Sequence, residues 1–153
     1  MTFRLPETSI EHEAMIRRLA EDLRRKGYEE IRAAHQAGDE WPVPEPVLTA
    51  DGLHSIRPDL AARRGSARLF FEVETIDSIT SRQTCREVEI LSELARSREN
   101  HFFYLVVPDS CRHLSLFLLR KLNVAPGERT FILYMTPEGI EPSPADFGYS
   151  SLP

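Results

Sequence analysis

Apolar positions along the chain repeat at two periods. From Ile10, the residues Ala14, Ile16, Leu19, Ala20 and Leu23 recur at helical spacing. Thr8-Ser9-Ile10-Glu11 reads as a capping box ahead of that stripe, and Lys26-Gly27 as its stop. Tyr28 to Ala33 alternates as a short strand, and Gln36 to Leu53, with Pro42, Pro44, Pro46 and Asp51-Gly52, reads as a long loop. His54 to Leu60 is expected as a second strand and Leu69 to Thr75 as a third, joined by a short linker through Gly65-Ser66. Thr80-Ser81-Arg82-Gln83 then reads as a second capping box, followed by a stripe of Cys85, Val88, Leu91, Leu94 and Ala95 that ends near Asn100. The unbroken run Phe102 to Val107 fits a strand buried on both faces. Asp109 or Ser110 can cap a third helix with Leu114, Phe117, Leu118 and Leu122 inward, and Thr130 to Met135 is the last expected strand.

This order predicts an α/β fold: a three-layer sandwich with a central mixed sheet, in the order α-β-β-β-α-β-α-β. The helix between the third and fourth strands implies a parallel, right-handed crossover. A chain of 153 residues, 41% hydrophobic, suits one domain. Its expected extent is 1–136, with 36–54 as a loop insertion and 137–153 as a Pro-rich acidic tail. No apolar run approaches the ~18 residues of a membrane span, so a cytoplasmic location is expected. Cys85 and Cys111 stand in no metal-ligand spacing and read as reduced packing residues, and neither carries a nucleophile signature. Trp41 is expected to plug the long loop against the core, with stacking on a ligand ring as the alternative.

Charge changes the picture once it is located. The net charge is −5, yet Asp39, Glu40, Glu45, Asp51, Glu138, Glu141 and Asp146 fall in two segments without Lys or Arg. The rest of the chain is therefore +2. Arg57, Arg63, Arg64 and Arg68 form a basic collar around Asp59, which suits either a phosphate-bearing ligand or a solvated turn. Glu72 and Glu74 lie inside the third strand, two apart, so they share one face with Cβ atoms about 7 Å apart. An unpaired buried carboxylate costs several kcal/mol, so these acids need water, a cation or a basic partner. Asp59 and Glu72 on adjacent strands would seat a divalent cation; on a solvated face Glu72 and Glu74 would instead pair with Arg57, Arg68 or Arg82.

Helix, strand, Pro58-Asp59 and Glu72-Val73-Glu74, in that order, resemble the PD-(D/E)XK nuclease superfamily and its restriction-endonuclease-like core over roughly residues 8–135. The resemblance implies Asp59 and Glu72 as ligands of Mg²⁺ or Mn²⁺, the Val73 carbonyl as a further oxygen, and Glu13 as the first-helix acid of some members, acting through water. It implies Gln83 as a supporting helix residue. The family pattern has Lys where this chain has Glu74, and the chain's two lysines are Lys26 and Lys121. Glu74 would then serve as base or as ligand of a second metal. Arg57, Arg63, Arg64, Arg68 and Arg82 would grip the phosphate backbone, Arg82 being permanently charged and no base. The expected function is metal-dependent hydrolysis of DNA or RNA phosphodiester bonds. The alternative is a nuclease-like module without catalysis that binds a protein partner or pairs as a homodimer.

Overall fold

The computed structural model describes residues 6–34, 40–49 and 51–142, with side chains from Ile10 onward. Helix α1 (Pro6–Arg25) leads into β1 (Glu29–Ala33), a small hairpin of β2 (Val47–Leu48) and β3 (Ser55–Ile56), and the pair β4 (Leu60–Arg64) and β5 (Ala67–Val73). Helix α2 (Arg82–Ser97), strand β6 (His101–Pro108), a 3-10 turn at Asp109–Cys111, helix α3 (Arg112–Lys121), β7 (Thr130–Met135) and β8 (Ile140–Pro142) complete it. Six strands form one mixed sheet in the order β1-β4-β5-β6-β7-β8. The pairs β5–β6 and β6–β7 are parallel, the others antiparallel.

Three layers follow from where the apolar side chains go. On one face Ile16, Leu19 and Leu23 of α1 pack on Leu69, Phe71, Tyr104 and Leu133. On the other, Val88 and Leu91 of α2 and Leu119 of α3 meet Phe103, Leu105 and Ile132. The continuous apolar run of β6 therefore feeds both cores. Phe71, Tyr104 and Phe131 stack across three strands at centroid spacings of 4.9 and 5.1 Å, which adds to their area burial. Trp41 is buried in the α1-side core, as a plug would be.

The first helix begins at Pro6, ahead of the expected Thr8 cap; proline suits the first helical position, where its missing N–H leaves nothing unpaired. It ends where expected. Gly27, at φ 86°, lets its own N–H reach Arg24 O and the Tyr28 N–H reach Leu23 O, the paired bonds of a Schellman stop. The second capping box is displaced by one residue: Ser81, not Thr80, caps α2, its Oγ accepting from the Thr84 N–H.

The expected second strand, 54–60, is divided. Ser55–Ile56 pairs with β2, so the long loop contains a hairpin, and the sheet strand starts only at Leu60. Pro58 explains the break, since it offers no N–H to a ladder and restricts Arg57 before it. What reads as a linker, Ala61 to Arg64, is β4, closed onto β5 by Gly65-Ser66 with Gly65 at φ 60°, the first central position of a two-residue hairpin turn. On α3 the buried residues are Ser115, Leu118 and Leu119, while Phe117 points outward at 64% exposure, which corrects its inward assignment. The expected tail opens with β8, paired antiparallel to β7; residues 143–153 of it, and 35–39 of the long loop, lie outside the described residues. Among the described residues no helix is long and apolar enough to cross a membrane.

A buried carboxylate cluster at the β4–β5 junction

Asp59 stands just before β4, and its place is fixed by backbone and side chain together. Its carbonyl accepts from the Ala34 N–H at 2.8 Å, which ties it to the end of β1. Its Oδ2 accepts from the Val73 N–H at 2.9 Å and lies 3.3 Å from Nε2 of His12 on α1. A side-chain oxygen thus takes the place of a ladder carbonyl at the end of β5, holding the carboxylate against the next strand. Glu72 follows from that register, since Leu60 pairs with Phe71 and the next step along β5 is Glu72 beside Asp59.

Glu74 lies one residue past the end of β5, where its N–H still bonds Val106 O at 2.9 Å. Its Oε2 accepts from Ser78 Oγ at 2.6 Å, and the same Ser78 oxygen accepts from the Thr75 N–H. Thr84 Oγ1 donates to Ser78 O, locking this turn to α2. Carboxylate oxygens of Asp59, Glu72 and Glu74 all come within 4.8 Å of one another, and the three residues are only 4%, 2% and 2% exposed. Glu72 Oε1 is buried with no hydrogen-bond partner. Burial first, and then the negative charges of Asp59, Glu87 and Glu74, push the Glu72 carboxyl well above the ordinary carboxylate range.

Such a group asks for a positive charge. A divalent cation binds carboxylate oxygens in this number and would relieve both the repulsion and the orphaned oxygen. The donor set, all oxygen and no sulfur, fits Mg²⁺ or Mn²⁺. No ion pair joins an arginine to Glu72 among the described residues, so the scaffolding alternative, with arginine on the acids, does not describe this position.

The other expected site residues scatter. Glu13 faces along the outer side of α1, beside Ile10, Arg17 and Glu21; the α1 residue that reaches the cluster is His12, on the same stripe as Ile16 and Leu19. Gln83 and Arg82 are exposed in the first turn of α2, and the residue of that helix acting on Glu72 is Glu87, one turn beyond Gln83. The collar does not close around the acids. Arg57 is exposed two residues before Asp59, but Arg63 pairs with Glu29 and Glu30, Arg64 lies over the Tyr28 ring at 5.0 Å, and Arg68 is exposed at the opposite end of β5. His12, on the apolar stripe of α1, went unassigned from the sequence, and Glu87 and Ser78, which depend on tertiary approach, carried no comparable signal.

No family model, no characterised protein and no solved structure matches this chain. The cluster must therefore be read from its own chemistry.

Proposed function

We propose that the protein is a divalent-cation-dependent phosphodiesterase of the PD-(D/E)XK nuclease kind, with a restriction-endonuclease-like core, acting on DNA or RNA. The observation that carries this reading is the meeting of Asp59, Glu72 and Glu74 with Glu72 Oε1 buried and unpartnered. The order of α1, the antiparallel β4–β5 pair, α2 and parallel β6 supports it. Asp59 and Glu72 would hold Mg²⁺ or Mn²⁺, with the Val73 carbonyl as a further oxygen. Bound there, the cation supplies a lowered pKa for water and neutralises charge on the phosphate. Asp59 is oriented by the Val73 N–H and by His12. Glu74, in place of the family's lysine and held through Oε2 by Ser78, accepts the proton from the attacking water.

A second reading rests on a different observation. Asp59, Glu72 and Glu74 are all almost fully buried. A closed cluster of this kind suits a nuclease-like module that keeps a structural cation and works through a protein partner.

Calorimetric titration with Mn²⁺ and Mg²⁺, run beside cleavage assays on single- and double-stranded DNA and RNA, separates the two. The hydrolase reading expects cation binding and cleavage, both abolished in Glu72→Gln and Asp59→Asn. Cleavage that persists in either variant rejects the site, and cation binding with no cleavage of any substrate selects the second reading.

A further inference from the structure

Arg68, Phe70 and Glu72 alternate onto one face of β5, so the acids sit at one end of a row whose other end is basic. Across the pair, Arg63 lies opposite Arg68 and Ala61 opposite Phe70. Helix α2 packs over β6, and Val47 of the β2–β3 hairpin and Phe70 of β5 both pack against the α2-side core. Between hairpin and sheet lies a cavity of about 400 Å³, within the roughly 300–1,000 Å³ of small-molecule sites.

Four arginines line it: Arg32 from β1, Arg63 from β4, Arg68 from β5 and Arg98 from the end of α2. Arg63 is shared between Glu29 and Glu30, and Arg32 lies 3.7 Å from Glu45. Arg68 and Arg98 have no acidic partner among the described residues. Two guanidinium groups are thus left uncompensated, in a chain whose net charge is −5. Beside them Phe70 and His101 form an aromatic wall, their ring centroids 5.8 Å apart and tilted by 33°, with Val47 and Leu48 of the hairpin completing an apolar side.

Guanidinium forks match phosphate oxygens two at a time, and an aromatic face accepts a flat heterocycle. We propose that this cavity is a nucleotide site: Arg68 and Arg98 take a phosphate monoester, and the Phe70 and His101 wall takes the attached base. The ligand is a free mononucleotide or the phosphorylated end of a strand, which share this chemistry. Arg68 is four residues from Glu72, about 13 Å along the strand, so the site stands without the carboxylate cluster and without any cation there.

Calorimetry on the full chain in EDTA, with 5′-AMP, adenosine and inorganic phosphate as probes, tests it. The wild type is expected to bind AMP at least tenfold more tightly than adenosine or phosphate. The Arg68→Gln/Arg98→Gln double variant should lose at least tenfold in AMP affinity with an unchanged melting temperature, and Arg120→Gln, on the exposed side of α3, should lose nothing. A 5′-phosphorylated pentanucleotide that binds more tightly than AMP identifies a strand end as the ligand; equal or weaker binding identifies the free nucleotide. No AMP binding to the wild type, or undiminished binding in the double variant, overturns the proposal. Phosphate alone binding as tightly as AMP overturns the role of the aromatic wall.

Discussion

Glu72 Oε1 is buried with no hydrogen-bond partner, and three other acids lie close enough to oppose ionisation of its carboxyl. Its folded pKa is raised above the unfolded value, taken as 4.5. In metal-free protein the associated stability is therefore complete below about pH 4.5 and is lost as pH rises through the raised folded value. Thermal melts in EDTA across pH 5 to 9 are expected to show that decline, and Glu72→Gln to remove most of it, melting above wild type at pH 8. Saturating Mn²⁺ should reverse the order, since it stabilises the wild type by mass action and has one fewer carboxylate to hold in the variant. Asp59 carries a second, separable duty. Asp59→Ala strips an acceptor from the buried Val73 N–H and should cost about 1–3 kcal/mol in chemical denaturation, whereas Asp59→Asn, which keeps an acceptor, should recover most of that stability without recovering cation binding. Asp59, Glu72 and Glu74 were readable because acids beside an apolar strand demand an explanation in any fold. Their partners were not: whether His12 or Glu13 turns inward depends on a rotation of α1 of about 100° per residue, and the strand register that brings Glu72 to Asp59 is set by the hairpin turn.

At the scale of elements, the helices and β1 announced themselves, and the strands β2, β4 and β8 did not. The α2 stripe of Val88, Leu91, Leu94 and Ala95 is buried as its spacing implies, because 3.6-residue periodicity over four turns has few competing explanations. Leu60 to Arg64 has two alanines and two arginines, weak strand formers, and becomes β4 only because β1 and β5 pair with it on either side. The same strand supplies Arg63 to the lining of the basic cavity. The cap of α2 was misplaced by one residue because Thr80 and Ser81 are both competent caps. Ser81→Ala should cost about 1 kcal/mol by denaturant titration, in keeping with its bond to the Thr84 N–H, and Thr80→Ala close to nothing.

For the molecule as a whole, the mixed sheet was legible in its centre and at its β1 border, and not at its β8 border. The parallel β5–α2–β6 crossover follows from a helix lying between two apolar runs, and β6 was recognisable as the strand with no polar face. The border strand β8 was hidden in a Pro-rich segment, and its three residues, Ile140–Pro142, do more than extend the sheet. Every residue of β7 is buried, and β8 covers the Leu133 to Met135 half of its outer edge, anchored by Arg112, which bonds Glu141 at 3.1 Å and lies over the Tyr134 ring. An edge as apolar as Thr130 to Met135 would template pairing with the same strand of another copy, whereas a three-residue border ending in proline offers little to pair with. Chains ending at Thr136 should accordingly self-associate with rising concentration in light scattering and form thioflavin-positive material, while the full chain stays dispersed. The short C-terminal border strand thus guards against aggregation.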